Sequence, residues 1–471
     1  MPCASKYISD MTRRMFAGGA AAMAARIALT AGDSPDAAKQ MAAVAARIQP
    51  PRFPDRQFSI LKYGAAADGR TDCTGALRQA IEACSAAGGG MVVVPRGTFL
   101  TAAIHLKSHA NLHLEEGAVL RFSIESKRYP LVYSRWEGTE CMNYSPLIYA
   151  FEQTDIAVSG SGTLDGQANT ETWWPWKGNA RSGWKAGMPD QKKDRDALMA
   201  MGDKSVPVSQ RIFGQGHYLR PPFFQPYRCT NVSIEGVTIR NSPFWELNPV
   251  LCRNVTVRNV KIDSHGPNND GCDPECCDGV LIDSCEFSTG DDCIAIKSGR
   301  NEDGRRVHTP CQNLVIRNCS MKDGHGGVSI GSEVSGDVRN VFVDRCRMDS
   351  PNLDRALRLK SNTYRGGVME NIYFTNNTVG QVAEAVVDID FNYEEGNGGP
   401  HNPVVRNVVV ENVNSGKSKY ALYLRGFQNA PITGVRLSNC TFNNVAQPNV
   451  IEHVEGLELE GVKRNGQPMT Q

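Results

Sequence analysis

A short phrase returns eight times in the second half of the chain: Asn or Gly, then a run in which apolar residues alternate with others. It reads Asn231-Val232-Ser233-Ile234, Asn254-Val255-Thr256-Val257, Gly279-Val280-Leu281-Ile282, Asn313-Leu314-Val315-Ile316, Asn340-Val341-Phe342-Val343, Asn371-Ile372-Tyr373-Phe374, Asn407-Val408-Val409-Val410 and Gly434-Val435-Arg436-Leu437. Successive starts lie 23, 25, 34, 27, 31, 36 and 27 residues apart. A period of two means strand, and a repeat too short to hold a crossover helix plus strand means stacked strands and turns. The implied fold is all-β, a right-handed parallel β-helix whose coils climb about 4.8 Å per strand. A sandwich would need two-residue hairpin turns, which are absent between these phrases. The uneven repeat length suits a solenoid whose loops grow on one face, where such folds build their grooves.

Upstream, Tyr63-Gly64-Ala65 and Asp68-Gly69 are turn-like, Thr74 to Ala86 has helical periodicity, and Gly88-Gly89-Gly90 followed by Met91 to Val94 gives a stop and a strand. The spacing predicts an N-terminal capping helix that covers the open end of the solenoid. One β-helix domain is expected over 58–465, with a linker at 32–57, a tail at 466–471 and a long insertion at about 166–228. That insertion carries Trp173, Trp174, Trp176 and Trp184, which either stack on a ligand's rings or pack within the insertion. Tyr129 to Asn143 either line the same groove or serve the framework.

Thr12-Arg13-Arg14-Met15-Phe16 and the Ala/Gly-rich run to Ala31 resemble a twin-arginine export signal, so residues 1–31 are read as a signal and the protein as periplasmic or secreted. No uninterrupted apolar stretch reaches about 18 residues, so no stable membrane span is expected. A net charge of +1 excludes general attraction to nucleic acid or anionic membranes, so an anionic substrate must be caught locally. Fifteen cysteines leave at least one unpaired. Cys285, Cys319, Cys346 and Cys440 recur at one repeat position, which predicts a ladder of buried thiols rather than bridges. Cys272, Cys276 and Cys277 lack paired CxxC spacing and a matching histidine, and read as structural rather than as a zinc site. No metal or cofactor is expected, and the chain is expected to act as a monomer.

Four segments carry chemistry: Asn268-Asn269-Asp270, Gly290-Asp291-Asp292, Gly324-His325-Gly326 and Arg358-Leu359-Lys360. From Asp270 to Asp291 is 21 residues, from Asp292 to His325 is 33 and from His325 to Arg358 is 33, near one coil each. Stacked, they bring three carboxylates, an imidazole and two cations to one groove. Hydrolysis of a glycosidic bond needs one carboxylic acid to protonate the leaving oxygen and a second carboxylate to activate water or attack carbon. Crowding of Asp270, Asp291 and Asp292 should raise at least one proton affinity. Both Asp291 and Asp292 reach one pocket only if the backbone beside Gly290 leaves ideal β geometry. Arg358 and Lys360, two apart on a strand, share a face and suit the grip of a sugar carboxylate. His325, among glycines, is placed to hydrogen-bond a catalytic aspartate and tune it. Each motif alone is weak: an Asp pair is commonly a solvated turn, and Arg-x-Lys an exposed strand face.

Taken in order on a β-helix, the four segments resemble glycoside hydrolase family 28, the polygalacturonases and related pectin hydrolases, from about Phe58 to about Val445. The resemblance implies hydrolysis of α-linked galacturonic acid in pectic poly- or oligosaccharides, with inversion. It implies Asp291 as general acid, Asp270 and Asp292 as the pair that activates water, His325 as an aid to protonation, and Arg358 with Lys360 as ligands of the galacturonate. Tyr393, 33 residues beyond Lys360, matches the family's groove tyrosine, and Asn268 joins the substrate-binding candidates. Asn269 stands where Thr is usual, a change expected to be tolerated because strand neighbours face apart. Inversion calls for carboxyls roughly 6.5 to 9.5 Å apart. The long insertion favours release of terminal units over mid-chain cutting. Rhamnogalacturonan-type or other uronide linkages remain alternatives, as do a β-helical lyase with its acidic trio on calcium and a non-catalytic carbohydrate-binding β-helix.

Overall fold

The computed structural model describes residues 37–470. The export-signal residues therefore lie outside the described ones. Each coil lays down three parallel strands, one on each of three faces. The first face is a 14-stranded sheet that runs from Gln57–Ser59 to Glu458–Glu460 and contains all eight repeated phrases. The second is a 14-stranded sheet from Asp68–Asp72 to Gln467–Pro468. The third begins as Ile104–His105, Ile148–Phe151 and Phe224–Tyr227 and ends as six strands from Ile294–Ile296 to Val450–Glu452. Single bridges from Phe224 to Leu247, from Leu247 to Cys272 and from Cys272 to Ile294 join the two parts. This is the right-handed parallel β-helix that the repeat implies.

The repeat begins with Asn or Gly because that position turns the corner. Asn231, Asn254, Asn313, Asn340, Asn371 and Asn407 all have φ between 54° and 61°, a left-handed conformation that costs most side chains about 1 kcal/mol or more. Asn accepts it and then stacks. Amide bonds run from Asn407 to Asn371 (2.7 Å), Asn371 to Asn340 (3.0 Å) and Asn340 to Asn313 (3.1 Å).

The fourteen described cysteines are all buried and free. The expected thiol ladder is present, and a second one stands at the entry to the first face. There Cys252, Cys277 and Cys311 donate to the carbonyls of Pro226, Pro249 and Pro274 one coil earlier, at 3.2, 3.2 and 3.5 Å. A compact thiol fills the core and adds a weak donor to a carbonyl that already accepts one backbone amide.

The capping helix is Thr74–Ala86, with Leu77, Ala80, Ile81 and Cys84 buried in the same core as the first coils. Three segments differ from expectation. The stretch read as a linker at 32–57 is built into the fold over residues 37–57. A helix at Ala37–Arg47 sets Val44 against Leu281, Val315, Phe342, Tyr373 and Val409, joined by Ile48 just beyond it, and Gln57–Ser59 is already a strand. Those five side chains are the outward residues of their phrases, and an apolar stripe there needs a cover. The insertion ends before Phe224, since Phe224–Tyr227 pairs with Ile148–Phe151 on the third face. In the tail, Gln467–Pro468 folds back antiparallel on Lys463–Arg464.

Candidate active site

Three successive coils leave the second face at Ser264, Thr289 and Met321 and regain the third at Cys272, Ile294 and Val328. The connecting loops hold Asp270, the Asp291–Asp292 pair and His325. Gly290 to Cys293 belong to no strand, so both aspartates turn toward one pocket, as the motif requires. Gly326 is needed for the same closeness, because a Cβ there would stand 2.3 Å from Ser329 Oγ and 2.9 Å from Asp292 Oδ1.

One carboxylate oxygen from each of Asp270, Asp291 and Asp292 lies within 4.8 Å of the other two. His325 Nδ1 is 3.0 Å from Asp291 Oδ1. Lys360 Nζ donates to Asp292 Oδ2 at 2.6 Å, Ser329 Oγ donates to Asp292 Oδ1 at 2.8 Å, and Arg358 lies 3.5 Å from that same oxygen. The cations of Arg358 and Lys360 stand 5.6 and 5.4 Å from the Tyr393 ring centre. Arg358 and Lys360 do share a strand face, but both are already engaged with Asp292. An incoming carboxylate would share them rather than find them free. A cavity of about 500 Å³ opens beside His325, lined among others by His265, Asp323 and Asp354.

The three aspartates differ in charge state. Burial pushes Asp270 up, and the neighbouring Asp273 and Asp291 carboxylates push it further, with Lys297 as the opposing influence. Burial would also raise Asp292, but Lys360 and Arg358 overcome it and hold Asp292 well below the usual carboxylate range. Burial of Asp291 is outweighed by the bond to His325, which leaves Asp291 below its ordinary value, and that same bond raises His325. Crowding thus does raise one aspartate, as expected, but it is Asp270. The carboxylate separation is shorter than the general inverting spacing. Three oxygens this close could approach a cation, but His325, Lys360 and Arg358 already neutralise Asp291 and Asp292.

Asn268, with φ of 56°, sits one step back from this pocket. Its Oδ1 accepts from Lys177 Nζ and from Arg220, both at 2.8 Å, so it anchors the insertion to the site. Asn269 faces away, as expected, and is a brace. Its Oδ1 accepts from Ser264 Oγ and the Gly266 amide, and its Nδ2 donates to the carbonyls of Ser242 and Phe244.

Sequence reasoning missed Lys177, Arg220, Lys297, Ser329 and the wall beyond Tyr393. In that wall Arg195 of the helix Lys192–Asp203 bonds Glu137 at 2.7 Å, and Arg300 lies 3.6 Å from Glu333 and 3.4 Å from Glu394. Glu137 and Gly138, both at positive φ, turn the hairpin of Leu131–Trp136 and Thr139–Tyr144. Within the stretch Tyr129 to Asn143, Glu137 thus joins this cluster of ion pairs, between Arg195 and Arg300. Arg135 and Trp136 are buried framework, the former on Glu275 at 3.2 Å and the latter stacked on Phe244. The insertion's tryptophans also pack internally: Trp173 meets Trp176 and Tyr129 edge-on, and Trp174 donates to the Ser242 carbonyl.

A family model described as glycosyl hydrolases family 28 matches residues 212–456. The crystal structure of a hyperthermoactive exopolygalacturonase from Thermotoga maritima is 44% identical, covers 92% of this chain and 97% of its own, and superposes with a TM-score of 0.89. The chain belongs to glycoside hydrolase family 28. A probable polygalacturonase of Vitis vinifera is 29% identical over 430 residues, 85% of this chain and 77% of its own length. An exo-poly-alpha-D-galacturonosidase of Dickeya chrysanthemi is 27% identical, and the match spans 72% of this chain and 58% of that protein. The family 28 match contains all four motif segments and Tyr393. Among the described residues no helix is long and apolar enough to cross a membrane.

Proposed function

We propose that this family 28 hydrolase cleaves α-linked galacturonic acid from pectic chains or oligosaccharides, with inversion, one unit at a time from a chain end. The observation that carries the reading is the convergence of Asp270, Asp291, Asp292, His325, Arg358, Lys360 and Tyr393 on one pocket. Arg358 and Lys360, beside the Tyr393 ring, supply the charge that draws a uronate carboxylate. The His325–Asp291 pair holds one proton, and Asp291 passes it to the leaving glycosidic oxygen as the bond to the anomeric carbon breaks. A water held by Asp270 and Asp292 attacks that carbon and gives up its proton to Asp270, the carboxylate with the higher proton affinity. Asp292 keeps its charge throughout. Both water-side aspartates are nearly inaccessible, Asp270 at 4% and Asp292 at 0% exposure, which favours a small water over direct attack by a carboxylate on a sugar carbon. End-wise action is supported by the wall of Arg195, Glu137, Arg300 and Glu394 and by the names of two relatives. Export to the periplasm or medium is part of the same proposal, resting on the Arg13-Arg14 segment.

Digestion of polygalacturonate and defined uronide oligosaccharides tests it, with the fresh product's anomer read by NMR. The expected result is monogalacturonate of inverted anomeric configuration, slow loss of viscosity, and no turnover by Asp291→Asn. A rapid viscosity drop with few new reducing ends would overturn the end-wise reading. An unsaturated, ultraviolet-absorbing product or an active Asp291→Asn would overturn hydrolysis as assigned.

A further inference from the structure

Lys360 has a counterpart. Ile296 pairs with Ile330 and Ile330 with Leu359, so Lys297 and Lys360 occupy the same column of the third face, two coils apart. Lys360 closes on Asp292. Lys297, with its side chain 4% exposed, lies beneath the pocket with Nζ 3.2 Å from Glu333, 3.9 Å from Asp270, 4.0 Å from Asp273 and 4.5 Å from the Trp245 ring centre. Among the described residues it is the one cation within 4.0 Å of either Asp270 or Asp273. Both oxygens of Asp273 and Oδ1 of Asp270 are buried without a hydrogen-bond partner.

From this placement we propose that Lys297 is a positioning residue of the reaction: it holds Asp270 in place and supplies the charge that lets Asp270 ionise beside Asp273. The inference rests on the reading of Asp270 as the acceptor of water's proton. Two like groups and one lysine leave the pair short of positive charge, so their protonation follows whatever the lysine provides. Other charged groups face the pair from each packed coil: Glu246 from the coil before, Asp291 and Asp292 from the coil after, and Glu333 beyond them. Glu333 is itself held low, to about 2, by Lys297 and Arg300 against its burial, so it remains an anion that competes for the lysine. Arg220 faces Asp270 from the insertion side.

Lys297→Met should therefore trap Asp270 with its proton. The test is the pH dependence of kcat at saturating substrate for wild type, Lys297→Met, Lys297→Arg, Asp273→Asn and Asp270→Asn. With Lys297→Met, kcat at the wild-type optimum should fall roughly 100-fold, the lower range of general-base catalysis, while KM changes by less than about 3-fold. Its acid limb should move to higher pH by about one unit or more. Lys297→Arg should return the limb toward wild type. Asp273→Asn, which removes the competing carboxylate, should move it to lower pH. Loss of kcat in Lys297→Met with the limb unmoved would mean a merely structural lysine and overturn the inference, as would an unmoved limb in Asp273→Asn. The latter decides the matter even if Lys297→Met does not fold. An Asp270→Asn variant with wild-type turnover would instead refute the assignment of Asp270, a failure of the prior reading.

Discussion

Replacing Lys360 by Met removes one member of a buried ion pair and leaves the other in place. Lys360 and Asp292 side chains are 7% and 1% exposed and meet at 2.6 Å. Breaking such a pair typically costs 3–5 kcal/mol, because the remaining charge keeps its desolvation penalty. Here Arg358 at 3.5 Å and the Ser329 hydroxyl at 2.8 Å stay on Asp292, which places the expected loss near the bottom of that range, about 3 kcal/mol. The sign of the pH dependence follows from Asp292. Its folded value is depressed, so the stability it contributes is present above its unfolded value near 3.9 and is lost as pH falls toward the folded one. The Lys360→Met penalty should accordingly be full at neutral pH and narrow once the pH drops below about 4. Urea unfolding of wild type, Lys360→Met, Asp292→Asn and the double variant measures it. The double variant should be less destabilised than the sum of the singles by about 1–3 kcal/mol. Additive singles, or a penalty that grows on acidification, would refute the account of the clamp.

Two further outcomes follow from the framework. Asn371→Ala loses the amide bonds to Asn340 and Asn407 and keeps a left-handed φ, so it should cost about 2–3 kcal/mol in urea unfolding, and Asn371→Gly less because the strain is relieved. Val44→Asp should release the helix Ala37–Arg47 from its stripe and expose it to limited proteolysis, while turnover of uronide substrates changes by less than about 2-fold.

The solenoid was legible because its strand phrases are local and repeat, and each coil buries the same alternate positions. The four motif segments were legible because coil spacing converts sequence distance into contact. The packed helix at 37–47 was missed, yet it left a signal. Ser233 and Thr256 hold the outward position of their phrases, but Leu281, Val315, Phe342, Tyr373 and Val409 hold it later, and exposed apolar residues in a row call for something to lie on them. Lys297 was also visible as a basic residue five after Asp292, but its partners come from three different coils. Lys177 and Arg195 were not legible, since the insertion has no period to fix which of its side chains return to the groove. The charge order within the trio depends on which cation each aspartate meets, and spacing alone does not reveal that.

Asp270 and Asp292 stand on adjacent coils, and the backbone hydrogen bonds that join coils allow little choice in how far apart adjacent coils lie. The pitch of the scaffold is therefore also the pitch of its charges. A site assembled this way inherits strong mutual repulsion before any substrate arrives. It becomes workable only if the same rung and a later one return countercharge to one column, as Lys297 and Lys360 do. In such a molecule, lengthening or trimming a loop can reshape what enters the groove, but the electrical balance beneath is written into the rungs.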